Sequence, residues 1–364
     1  MPIRYWPAIR FRWSTIMTYV LATIVILLIV LAVAWRWMIW MPGSAFRGVP
    51  QPLTEQEVRL RDSLRRDLTA LAQDIGERNV SRRFAQLIEA GAFIEESLQA
   101  AGYEPRRQEI TVDGNTVWNI IAERRGRTRA DEIIVVGAHY DTVPGSPGAN
   151  DNGSAVVANL ALARAFLQIE PNRTLRFAFF VNEEWPYYMT SAMGSLRYAE
   201  ACRRASEKIV GMLSLETIGC YLDAPMSQRY PLGLLRRLYP TTGNFLAVVG
   251  NFRSRRLVHG VIRGLRRVQF PTEGMVAPRW LKDIFRSDHA AFWHCGYPAL
   301  MVTDTANFRY SHYHTAEDTV DKINFIALAR IVTGLQESLR EVAGEANADR
   351  TFKQSELDAP RALN

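Results

Sequence analysis

An α/β fold with a mostly parallel or mixed central sheet flanked by helices, preceded by one N-terminal transmembrane helix, is the architecture this sequence predicts. Three observations carry it. Short apolar runs such as Ile133-Ile-Val-Val136, Phe177-Ala-Phe-Phe-Val181 and Gly211-Met-Leu-Ser-Leu215 alternate with longer segments of helical pattern, and strands that alternate with helices build sheets covered on both faces. Several of these runs end in imidazoles or carboxylates, the position at which an open α/β sheet keeps its ligand groups. Thr15 to Trp35 carries no charge, and at about 1.5 Å per residue it reaches roughly 30 Å, one bilayer core.

From the N-terminus, a basic segment 1–14 precedes a span 15–40, whose Trp35, Trp37 and Trp40 suit the interfacial aromatic belt. Arg4, Arg10 and Arg12 lie before the uncharged stretch Thr15 to Trp35 and Arg36 and Arg47 after it, a bias that puts the N-terminus in the cytoplasm and the main domain outside. A cleaved signal peptide is the rival reading, but no small-x-small site follows directly. Pro42-Gly43 and Pro50-Gln-Pro52 mark 41–52 as a linker. The main domain is expected over 53–345, followed by a polar tail, 346–364. Thr54 with Glu57 forms a capping-box pattern that opens an amphipathic helix to Ile75. A second helix runs from Ser81 to Ala101 and stops at Gly102. Strands follow at Gln108 to Val112 and Thr116 to Glu123, then Ile133 to Val136. A helix from Ser154 to Leu167 and strands at Leu175 to Val181 and Gly211 to Glu216 complete the part of the pattern that is clearest. Beyond it, Tyr221 to Phe285 contains a strand-like Phe245 to Val249 and a basic helix-like Ser254 to Val268. The stretch reads either as a lid or as further sheet and helix.

Composition narrows the function classes. The 364 residues are 48% hydrophobic and 22% charged, an ordinary globular balance. The net charge of +7 comes with no recognised nucleic-acid-binding motif, so a solvated surface or attraction to anionic lipid explains it better. Cys202, Cys220 and Cys295 allow at most one disulfide and show no zinc-knot spacing, so buried thiols are expected.

The chemistry-bearing residues are His139 and Asp141, Asp151, Glu183 and Glu184, Glu216, and His314. Taken singly, a histidine after a strand also fits a structural role, and a Glu pair a solvated surface. As a set, two His and three carboxylates suit borderline divalent metals, zinc first. The Glu beside such a ligand suits a general base for hydrolysis. Ser154 and Ser214 sit in no Gly-x-Ser-x-Gly elbow, which leaves a serine hydrolase without support. Trp185-Pro-Tyr-Tyr-Met189 fits either a pocket wall or core.

Four blocks occur in order: Gly137-Ala-His-Tyr-Asp-Thr-Val143, Gly148-Ala-Asn-Asp-Asn-Gly-Ser-Ala155, Asn182-Glu-Glu184 and Tyr313-His-Thr-Ala-Glu-Asp-Thr-Val-Asp-Lys-Ile323, with Ser287-Asp-His289 and Phe292 alongside. Together they resemble the co-catalytic dizinc aminopeptidase family, which also contains glutamate carboxypeptidases, glutaminyl cyclases and the transferrin-receptor ectodomain. The resemblance runs from about Leu53 to about Glu345. It implies the zinc exopeptidase fold and two zinc ions bridged by Asp151. His139 and Glu216 would complete one site, and Glu184 and His314 the other. Glu183 would be the general base and Tyr313 a group steadying the oxyanion. Asp141 would orient His139 from behind. The family often has Asp where this chain has Glu216, which bears on the spacing of the metals. The implied function is a membrane-anchored zinc aminopeptidase acting on peptide N-termini, on the periplasmic side of a bacterial inner membrane. Glutaminyl cyclase or carboxypeptidase activity is the enzymatic alternative, and a non-catalytic receptor-like ectodomain the third.

Overall fold

The computed structural model of this chain describes residues 13–278, 281 and 284–344. The arginines at positions 4, 10 and 12 and the tail 346–364 lie outside the described residues. The structure separates into two compact units that meet in sequence at Trp40 and Met41. The first is helix α1 (Trp13–Ala34), continued by a wider turn through Ile39. Its segment Met17–Ile39 is long and apolar enough to cross a membrane, a property that a signal sequence shares.

The second unit is built on one eight-stranded mixed sheet in the order β1-β2-β4-β3-β5-β8-β6-β7. The strands are β1 (Arg106–Val112), β2 (Asn115–Arg124), β3 (Arg129–His139), β4 (Arg173–Phe180), β5 (Lys208–Glu216), β6 (Leu246–Asn251), β7 (Thr272–Ala277) and β8 (Ala299–Thr303). The central strands β4, β3, β5 and β8 are parallel; β2 and β6 pair antiparallel to their inner neighbours. In β3, Ile134 and Val136 enter one core cluster and Ile133 and Val135 the other. That split is why the run is continuously apolar rather than alternating: both faces are covered.

Helices α2 (Glu55–Leu68), α3 (Phe84–Ala101), α4 (Ala155–Phe166), α6 (Arg255–Leu265) and α8 (Phe325–Ala343) supply the larger core, and α5 (Gly194–Arg204) with α7 (His289–His294) the smaller one. The expected starts and stops are present. Thr54 accepts from the Glu57 N–H while Glu57 accepts from the Thr54 N–H. Gly102 ends α3 in the left-handed conformation at φ 102°, which glycine adopts without a Cβ penalty. Tyr221 to Phe285 contains further sheet and helix: β6 and β7 extend the sheet and α6 lies between them in sequence, while the stretch before β6 carries a short 3-10 turn, Gly233–Arg237. The three cysteines are buried thiols.

Candidate metal and catalytic site

The register of the parallel strands brings their carboxyl ends level. His139 closes β3 opposite Phe180 of β4, and Glu216 closes β5 opposite Thr303 of β8. Asn182, at φ 59°, turns the chain out of β4 so that Glu183 and Glu184 follow at the same edge. Asp151 stands in the turn that opens α4. Gly148 makes that turn possible: its φ is 63°, and a Cβ there would lie 2.5 Å from the Asp151 carbonyl. His314, also left-handed at φ 61°, comes from the loop after β8.

Every sequence-predicted group converges at this edge. His139 Nε2 lies 3.4 Å from Asp151 Oδ1 and 3.4 Å from Glu216 Oε2. His314 Nε2 lies 2.9 Å from Asp151 Oδ2 and 3.3 Å from Glu184 Oε1. Two triads of potential ligand atoms result, His139-Asp151-Glu216 and Asp151-Glu184-His314, each within 4.8 Å and sharing Asp151. His139 also groups with Glu183 and Glu184, and Glu183 Oε2 is 3.9 Å from His139 Nε2. The extra methylene of Glu216 does not take its oxygen out of the cluster.

These groups suit a divalent cation on two physical grounds. Both carboxylate oxygens of Asp151 and Oε1 of Glu184 are buried with only the imidazole nitrogens of His139 and His314 in reach, a costly state unless a cation takes the lone pairs. Acidic groups also outnumber the imidazoles. Burial pushes Glu184 up to about 7, with the Asp151 charge adding to it. Burial likewise holds Glu183 well above the usual carboxylate range, opposed by His139 and reinforced by Glu184, Glu216 and Asp288. Desolvation works against a charge on His314, yet Asp151 and Glu184 still lift it to about 10. Sharing protons with histidine is how such a cluster neutralises itself when no cation is bound.

The surrounding hydrogen bonds set the aim of each group. The Asp141 carboxylate accepts the backbone N–H of Glu183 and of Glu184, both at 3.1 Å, and lies 3.5 Å from His139 Nδ1. It therefore holds three of the site residues at once. Tyr313 stacks on His314 with ring centroids 3.8 Å apart. Burial, then the carboxylates of Asp151 and Glu184, keep its hydroxyl protonated.

Sequence reasoning passed over several groups. Asp318 accepts the N–H of Asn150 at 2.8 Å and of Asp151 at 3.0 Å, and Tyr310 donates to it at 2.9 Å. Asp304 accepts from Asn150 Nδ2 and from the Cys220 and Ala306 N–H groups. Ser287 donates to Glu216 Oε2 at 2.7 Å. Asp318 and Ser287 stood inside the quoted blocks and could have been found there. Asp304 carries no local signal beyond following an apolar strand. The aromatic run after the Glu pair is neither core nor pocket wall throughout, since Trp185 is 79% exposed.

Beside the cluster lies an apolar pocket of about 120 Å³, lined by Glu216 and Tyr313 at the site and by Tyr230, Leu235, Tyr239, Phe245, Met275 and Met301 beyond.

Comparison with known proteins agrees with this geometry. The model of peptidase family M28 matches residues 119–337. The Escherichia coli protein YfbL is 32% identical over 284 residues, covering 75% of this chain and 86% of that protein. Leucine aminopeptidase 2 of Trichophyton rubrum is 33% identical over 108 residues, 29% of this chain and 21% of its own length. Among solved structures, the zinc aminopeptidase BSAP of Bacillus subtilis shares the fold, with a TM-score of 0.63 at 14% identity over 80% of this chain and 96% of that one.

Proposed function

This chain belongs to peptidase family M28, and from that premise we propose that it is a zinc aminopeptidase, anchored in a membrane by its N-terminal helix, that removes residues from peptide N-termini. The observation that carries the reading is the double use of Asp151. One buried carboxylate, with only imidazole nitrogens in reach of its oxygens, faces a His-Glu pair on each side, a donor set that suits two neighbouring divalent ions. Asp151 would bridge the ions, His139 and Glu216 would hold one, and Glu184 and His314 the other. Bound zinc supplies Lewis acidity that makes water a competent nucleophile near neutral pH.

The rest of the chemistry belongs to the protein. Glu183 accepts the proton of the attacking water and returns it to the leaving amine; its burial raises its basicity toward the working pH. Asp141 keeps Glu183, Glu184 and His139 in register. Tyr313 offers a protonated hydroxyl at the mouth of the pocket, placed to steady the developing oxyanion. Glu216, on the pocket side of the cluster, is the carboxylate available to a substrate's free amino group.

The anchor reading rests on the membrane-length helix and on the aromatic residues at its end. The arginine bias across the span supports an extracytoplasmic main domain, on the periplasmic side of a bacterial inner membrane. We assign segments 1–14, 15–40, 41–52, 53–345 and 346–364 to the basic N-terminus, anchor, linker, peptidase domain and tail.

The deciding experiment uses the full chain in detergent. Metal content is measured alongside hydrolysis of free and N-terminally blocked aminoacyl amides, with and without chelator, for the wild type and Glu183→Gln. Zinc retained by Glu183→Gln, with turnover lowered about 10²–10⁴-fold, is the expected result. Full turnover in that variant, or equal hydrolysis of blocked substrates, would overturn the reading.

A further inference from the structure

We propose that segment 231–239, the outer wall of the pocket, is a bilayer-contact surface that rests in the lipid interface. The inference depends on the anchor reading above. Leu232, Leu234 and Leu238 of this segment are 45%, 64% and 36% exposed, and Leu222 and Met226 just before it are exposed as well. Arg236 and Arg237 are exposed between the leucines, and Arg229 lies two positions before the segment. A cluster of exposed leucines rimmed by arginines is the composition of a surface that lies in a headgroup layer, apolar side down and cations toward anionic lipid.

Within the main domain, this segment lies close to the residues at which the chain enters from the membrane-length helix. Trp40 ends the membrane-length unit, and Met41, its neighbour in sequence, is buried in the main domain. Met41 packs on Gly274 of β7 so closely that a Cβ at Gly274 would lie 2.8 Å from its sulfur. Arg266 fixes the following turn by donating to the carbonyls of Pro42 at 2.7 Å and Gly43 at 2.8 Å. Tyr239 donates its hydroxyl to the carbonyl of the same Gly274 at 3.0 Å. Met41, the first residue of the main domain, and Tyr239, the end of the exposed segment, are thus fastened to one residue of the edge strand.

The inner side chains of the segment, Leu235 and Tyr239, line the pocket next to Glu216 and Tyr313. One wall therefore faces lipid on its outside and the substrate pocket on its inside. This geometry suits peptides adsorbed to the membrane by apolar N-terminal residues.

The test attaches an environment-sensitive fluorophore to Leu234→Cys in the full chain, which the buried Cys202, Cys220 and Cys295 leave singly labelled. The protein is reconstituted into vesicles of anionic and brominated lipids. Glu109→Cys, on β1 at the far edge of the sheet, is the control. The label at 234 should shift to the blue and be quenched at least about twofold, as for a group roughly 5–10 Å into the interface, with position 109 unaffected. Protein that floats with the vesicles while position 234 stays unquenched refutes the proposal alone. Protein that fails to float refutes the anchor reading and this proposal with it.

Discussion

Asp141→Asn isolates what orientation contributes at this site. The Asp141 carboxylate uses one oxygen for the Glu183 N–H and the other for the Glu184 N–H, at 3.1 Å each, and sits 3.5 Å from His139 Nδ1. Asparagine keeps one oxygen and turns an NH₂ toward the second N–H. A buried donor left without an acceptor costs about 1–3 kcal/mol. The metal-free protein should lose stability by that amount, read as a lower denaturant midpoint at unchanged slope. The orienting partner of a metal-binding histidine typically changes affinity about 10–100-fold, so zinc should dissociate more readily, measured by competition with a chromogenic chelator. Activity at saturating zinc should fall as well, because Glu183 loses the contact that aims it. Wild-type zinc affinity together with wild-type stability in Asp141→Asn would refute the reasoning, the first resting on the carboxylate's contact with His139 and the second on its bonds to the Glu183 and Glu184 N–H groups.

Ser287→Ala removes the 2.7 Å hydrogen bond to Glu216; zinc affinity should drop about tenfold or more while the fold persists, checked by competition titration and circular dichroism. Asp151→Asn should cost both metal and activity, and a variant that still holds its full zinc complement would contradict the bridging assignment. His289 supplies a pH dependence. Burial pushes its folded-state pKa down to about 4 from the usual 6.5, and its Nε2–H is committed to the Ile284 carbonyl at 2.6 Å. Below pH 6.5 the unfolded chain therefore takes up a proton that the folded protein refuses. Stability is full above 6.5 and is lost as pH falls toward 4, at about 1.4 kcal/mol per pH unit. Urea titrations of His289→Gln should show a shallower loss over that window; an identical slope would exclude the assignment.

Much of the site was legible because its residues sit in local patterns. His139, Glu183, Glu184 and Glu216 each close or directly follow an apolar run, and strand alternation with covered faces follows from the same runs. The capping box at Thr54 and the stop at Gly102 are short-range hydrogen-bond and dihedral effects, so a few residues suffice to specify them. The uncharged stretch near the N-terminus likewise declares its membrane-spanning length by composition alone. What needed the folded chain were the relations between distant segments. Nothing local says that β8 lies between β5 and β6, or that β6 runs against it, because strand order is decided by which apolar faces the helices can cover together. Asp318, far along the chain from Asp151, acquires its role only when it receives the Asn150 and Asp151 N–H groups. The leucines of 231–239 look like ordinary core residues in the sequence. In the folded chain Leu235 and Tyr239 turn into the pocket while Leu232, Leu234 and Leu238 stay outward, and Tyr239 bonds the glycine on which Met41 packs, a division that depends on residues far apart in sequence.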